Sequence, residues 1–342
     1  MRIPMVLFFL SVGAAAFAQA PYERLSEIPM GGEGGWDILT VDSQAHRLYV
    51  SHATKVVAVD LEKNAVAGEI ADTPGVHELL PVPSLERGFS SNGKENKSSV
   101  VDLKTLKTVS KIDTGENPDA MVYDDKAGEV YVFNHSGKSA TVIDARNAKA
   151  VATISLGGEP EFGRVDSAAG RVYVNLEDTS EVAVIDTKKR EVISRWSLSP
   201  GEEPTGLALD AAHHRLFAAC HNKMMVMLDA ESGKVLSTVP IGAGVDGCEF
   251  DDATQLAFAS CGEGVTTIAK EESLEKLTVV QTLQTQRGAR TMALDPETHR
   301  IYLPTAEFQQ APSPSPGSSP GRPTIVPNTM KLLVYGPGRA AK

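Results

Sequence analysis

Seven residues at matching places along this chain carry most of its candidate chemistry: Asp37, His77, Asp119, Glu161, Thr205, Asp246 and Arg290. Each stands at or just inside a short apolar run, and the runs open at Trp36, His77, Pro118, Pro160, Pro204, Val245 and Ala289. If the runs are strands around one axis, four carboxylates, a histidine and an arginine face a common space. Crowded carboxylates repel one another, which raises some of their pKa values unless a cation neutralises them. Oxygen donors with an imidazole suit a hard cation such as Ca²⁺ or Mg²⁺, held by Asp37, Asp119, Glu161 and Asp246, or else a basic ligand. Arg290 can pair with the same acids or orient a ligand carboxylate. The plainer reading is a hydrated rim whose acids are held by internal ion pairs.

A second series follows a few residues after each first run: His52, Asn92, Asn134, Leu176, Cys220, Cys261 and Thr305, with His135, Glu177 and His221 next to it. His52, Asn92 and Asn134 join the candidate ligand-binding set. His46, His213, His214 and His299 fall in turns at the opposite end and read as solvated. No H-x-H or H-E-x-x-H spacing supports a zinc site. Cys220 and Cys261 occupy equivalent places, so a bridge between them is one option and free buried thiols, with Cys248, the other. There is no phosphate-binding Gly loop, nucleophile elbow or haem-attachment motif.

The elements that must position these residues are short strands. In Asn117–Ala150, the runs AMVY, EVYVFN and ATVID are separated by the turns DDKAG and HSGKS. The aspartate closing each third run recurs at Asp60, Asp102, Asp144 and Asp186, 42 residues apart, with Asp229 following after 43. Two degenerate copies end near Ala269 and Tyr335. A period of about 40 to 45 residues with four short strands per unit is the pattern of a β-propeller. The chain therefore reads as all-β, one domain over 22–338, with seven four-stranded blades. Only six copies have an outer strand of their own, and RLSEIPMGG near the N-terminus resembles the outer run AVATISLGG. The N-terminal strand is thus expected to close the last blade. A Pro/Ser-rich loop, 307–328, interrupts that blade and reads as a surface insertion or a lid.

The formal net charge of −11 disfavours nucleic acid as a partner. Arg2, the apolar run Met5–Phe17 and the small-residue site Ala16-Phe17-Ala18 read as a cleaved leader over 1–18, hence a secreted or periplasmic protein. No second apolar run is long enough to span a membrane. A closed ring needs no partner to cover its edges, so a monomer is expected.

VYVFN, VYVNL and LYVSH, together with SNGKENKSSVVDLKTLK and the recurrent G-x-x-P entry, resemble the YVTN-repeat (YncE-like) propellers over about Arg24 to Tyr335. The resemblance implies a seven-bladed secreted fold with varied roles, so function must come from the site. Two readings remain. One is a scaffold binding a small molecule, peptide or protein through the top of its channel. The other is a divalent-metal-dependent lyase or lactonase with His77 as general acid–base.

Overall fold

The computed structural model describes residues 20–309 and 324–338. Among them the chain forms seven four-stranded antiparallel sheets. The first six are built of consecutive strands, as in Trp36–Asp42, Arg47–His52, Lys55–Asp60 and Ala65–Ile70. The inner strand of each sheet packs against that of the next, and the seventh meets the first, so the sheets close as the blades of a seven-bladed β-propeller.

The last blade runs from Ala293–Asp295 through Arg300–Thr305 and Lys331–Pro337 to Tyr22–Pro29 outermost. Tyr22 lies opposite Pro337 and Pro29 opposite Lys331, so the N-terminal strand closes the ring as its sequence implied. Pairing removes a free sheet edge that would otherwise template association. The leader assignment over 1–18 lies outside the described residues, as does 310–323 of the Pro/Ser-rich loop. That loop's ends meet in a bridge between Phe308 and Ile325.

Two inner strands open elsewhere than expected. The second begins at Val76, which leaves His77 one place inside it. The seventh begins only at Ala293. There the N–H groups of Ala289 and Arg290 bond back to the carbonyls of Gln286 and Gly288, a turn that keeps them out of the ladder.

The third residue of every second strand is a buried aromatic: Tyr49, Phe89, Tyr131, Tyr173, Phe217, Phe258 and Tyr302. Blades splay apart away from the axis, and a large ring at this place fills the gap between neighbours. The Tyr173 hydroxyl also donates to the Ala230 carbonyl of the following blade at 3.0 Å.

The aspartates that set the sequence period are turn-formers. Asp60 accepts the N–H of Lys63, Asp102 that of Thr105, Asp144 that of Asn147 and Asp186 that of Lys189. A carboxylate bonding the backbone two or three residues on stabilises a tight turn. A second series not read from the sequence, including Asp42, Asp166 and Asp210, does the same after the inner strands.

Candidate functional site

The top face carries the entries to the inner strands and the loops between second and third strands. Near that end, six inner strands share one irregularity: their register skips between the opening residue and the third or fourth. The skipped residues include Asp37, His77, Asp119, Glu161, Thr205 and Asp246. A bulge frees a residue from the ladder and re-aims its side chain. This irregularity converts an ordinary strand position into a ring of groups that reach one another across blades.

His77 Nδ1 lies 2.7 Å from Asp37 Oδ2 and 3.6 Å from Asp119 Oδ1, joining blades one, two and three. Arg290 Nε donates to Asp246 at 2.6 Å, and its guanidinium stands 3.8 Å from Asp37. His135, from the loop after Glu129–Asn134, places Nδ1 2.9 Å from Glu161 Oε1. The arc therefore runs Asp246, Arg290, Asp37, His77, Asp119, His135, Glu161. Thr205 breaks it, because its hydroxyl donates to the Val245 carbonyl at 3.2 Å and the residue is buried. A depression of about 340 Å³, lined in part by Asp37, His77, Lys94 and Asn117, opens beside the arc.

Burial pushes the Asp119 carboxyl up, and the charges of Asp37 and Glu161 add to it against the pull of His77 and His135. Burial also opposes the charged form of His77, but the Asp37 hydrogen bond and the Asp119 charge outweigh it and hold the imidazole proton. His135 is raised to about 9, chiefly by its bond to Glu161. Burial likewise raises Asp246, with Arg290 pulling the other way. Three donor groups result, Asp37/His77/Asp119, Asp119/His135/Glu161 and, with the adjoining loops, His135/Glu159/Glu177, each with its ligand atoms within 4.8 Å of one another.

The four acids expected to hold a cation together are not brought together as one set. Asp246 faces a fixed guanidinium, and the imidazoles of His77 and His135 take part instead. Mixed imidazole and carboxylate donors suit Mn²⁺ or Zn²⁺ better than the all-oxygen surroundings that Ca²⁺ and Mg²⁺ prefer.

The second series lies elsewhere. His52, Asn92 and Asn134 face the opening residues Trp36, Val76 and Pro118 across the ladder, and all three are buried. Asn92 Nδ2 donates to Ser99 Oγ and Glu95 Oε1, both at 2.8 Å, and Asn134 Nδ2 to Ser139 and Thr141. The two asparagines tie the second strand to the third, neither ring nitrogen of His52 has a hydrogen-bond partner, and none of the three joins the arc. Burial lowers the His52 pKa. Cys220, Cys248 and Cys261 are free and buried. Two turn histidines on the bottom face are paired rather than merely solvated, His213 with Asp210 at 2.6 Å and His299 with Asp251 at 2.8 Å.

Beneath the mouth lies a group that the sequence reading missed: Glu78, Arg164 and Glu249, around a cavity of about 230 Å³. Glu78 accepts the Met121 N–H at 2.6 Å, and burial raises its carboxyl to about 8. Arg164 of blade four reaches Glu249 of blade six at 2.9 Å and the Cys248 carbonyl at 3.0 Å. Blade five, with Gly206 and Ala208 at the corresponding places, leaves room for that crossing. The available signal was a charge inside an inner-strand run: VHELLPV, PEFGRVD and VDGCEFD.

No protein-family model and no curated protein matches this chain. Solved structures share its fold. One is a chain of Kuenenia stuttgartiensis hydrazine synthase, 15% identical with a TM-score of 0.68, covering 86% of this chain and 96% of that one. Another is a chain of a mitotic checkpoint complex, 11% identical with a TM-score of 0.75, covering 98% and 99%. Likeness at such identities defines the class, a seven-bladed propeller, and goes no further. Among the described residues no helix is long and apolar enough to cross a membrane.

Proposed function

We propose that the chain is a binding propeller of the YVTN-repeat type whose channel mouth takes a positively charged ligand, in the first instance a divalent cation. The observation that carries this reading is the place of Asp119, a member of two of the mouth's three donor groups. Its carboxyl is pushed up by burial and by neighbouring acids, which marks a site short of positive charge. Protons on His77 and His135 supply that charge when no ligand does. A cation replaces them, so binding releases protons and tightens as pH rises.

The test is calorimetric titration of the full chain with Mn²⁺ at about pH 6 and about pH 8. Tighter binding at the higher pH, lost in Asp119→Asn, is the expected result. Binding that is independent of pH and of Asp119 would remove the reading. The leader pattern in residues 1–18 supports export to the periplasm or beyond, and N-terminal sequencing of protein from a native-type host checks it.

One arrangement favours a catalytic variant, a metal-dependent lyase or lactonase whose cation sits at Asp119, His135 and Glu161 and leaves His77 its proton. His77 is held between two carboxylates as a charged imidazole, the state a general acid requires. Turnover that survives His77→Ala with the fold intact would eliminate that variant.

A further inference from the structure

The six blades whose third strand leads into their own outer strand share one buried place on the bottom face, just past the turn-forming position. Leu61, Leu103, Ala145, Thr187 and Ala230 occupy it in blades one to five, and all are buried. Each gives its N–H to a carbonyl in the turn before the second strand, Leu61 to His46 and Ala230 to His214 among them. Blade six makes the same backbone bond, from Glu271 to Gln255, yet carries a carboxylate there. Glu271 is 6% exposed, and neither carboxylate oxygen accepts a hydrogen bond. A place that leucine, alanine or threonine fills in five blades has no packing need for a charge. Burying an unpaired carboxylate is costly.

What faces Glu271 explains it. Asp210, fully buried at the end of the inner strand of blade five, and His213 in the following turn place ligand atoms within 4.8 Å of a Glu271 oxygen and of one another. The nearby fixed cation, Arg215, makes no hydrogen bond to Glu271. Arg215 donates to the carbonyls of Leu274 at 2.9 Å and His214 at 2.8 Å, and to Asp229 at 3.0 Å. Asp251 and Asp252 add further negative charge from blade six. His213 is exposed, so the group has a route to solvent.

We propose that Asp210, His213 and Glu271 bind a divalent transition cation at the bottom face between blades five and six. Two carboxylates and one imidazole form a three-ligand set that leaves coordination positions for water, within the donor chemistry of Mn²⁺ and Zn²⁺. The cation supplies the charge that the Glu271 oxygens otherwise lack. This site is independent of the channel mouth, since it shares no residue with it. The rival arrangement is a single proton held between the Asp210 and Glu271 carboxyls.

The experiment uses the full chain with Asp119→Asn and His135→Ala together, which leave none of the mouth's three ligand sets complete, and titrates it with Mn²⁺, bound ion being counted by electron paramagnetic resonance. About one equivalent should still bind, and adding His213→Ala or Glu271→Gln should weaken it at least about tenfold. His213 is on an exposed turn, so its removal spares the fold, and the amide of Gln keeps the shape of Glu271. If that double variant takes up no Mn²⁺, or takes it up equally without His213 and Glu271, the proposal is overturned. A Glu271→Gln chain that melts higher while ion uptake is unchanged identifies the shared proton and overturns it too. Binding to the natural chain that Asp119→Asn with His135→Ala leaves intact, but His213→Ala abolishes, supports this site while removing the mouth.

Discussion

His135 Nδ1 stands 2.9 Å from Glu161 Oε1, and that contact sets the charge of the channel mouth near neutral pH. The imidazole keeps its proton to about 9, where free histidine loses it near 6.5. Its folded pKa is above its unfolded one, so the stabilisation is complete below about 6.5 and disappears as pH climbs through about 9. In Glu161→Gln the His135 titration, followed by NMR of the ring protons, should move back toward about 6.5. A His135 curve that stays in place would show that the contact is not what holds the proton.

Glu78 reaches the same pH trend by another route. Its carboxyl, buried below the mouth, titrates at about 8 when folded against an ordinary value of 4.5. Protonated, it rests without penalty, and above 4.5 the unfolded chain ionises more readily than the folded one. Stability is therefore lost steadily as pH rises from about 4.5 to about 8. Glu78→Gln should flatten the dependence of the urea midpoint on pH over that interval and raise stability at its upper end. A mutant with the same slope as the parent would count against a buried, neutral Glu78.

Ring closure rests on the strand Tyr22–Pro29, whose Ile28 is fully buried. Ile28→Ala should cost about 2 to 4 kcal/mol in denaturant unfolding. Removal of the chain through Gly31 should give material that aggregates through the exposed Lys331–Pro337 edge. An equally stable truncated protein would refute the closure.

At Gly206 two inner strands come close together. A Cβ there would lie 2.6 Å from the Cys248 backbone N and 2.8 Å from the Gly247 carbonyl carbon, atoms that a side-chain movement cannot clear. Gly206→Ala should destabilise by about 2 kcal/mol through overpacking. An unchanged melting temperature would mean that blades five and six are less tightly packed than these distances require.

Much of the fold was legible because each blade repeats the same local solutions. An aspartate makes the turn after a third strand, and apolar runs fill the buried second and third strands, so Asp60 to Asp229 gave the period and the copies near Ala269 and Tyr335 completed the number of blades. The unmatched outer strand and the RLSEIPMGG run were enough to foresee closure by the N-terminus. The residues of the mouth were also readable, as a position in the repeat. That Arg290 can pair with the acids was readable too; which acid it meets was not, because that depends on which blade's long side chain reaches which neighbour. Thus Asp246 is taken by Arg290, and His135 enters from a loop.

By itself, then, the sequence determined the strand pattern, the blade number and the concentration of acids near one axis, all products of local periodicity. Tertiary structure decided the rest. It turned His52, Asn92 and Asn134 into the blades, where all three are buried. It carried Arg164 across the channel to Glu249, and it brought Glu271 of blade six beside Asp210 and His213 of blade five. Those contacts join residues up to 85 positions apart. They depend on the angle between sheets and on the room left by a Gly or an Ala in the blade between, and neither is encoded in spacing along one strand.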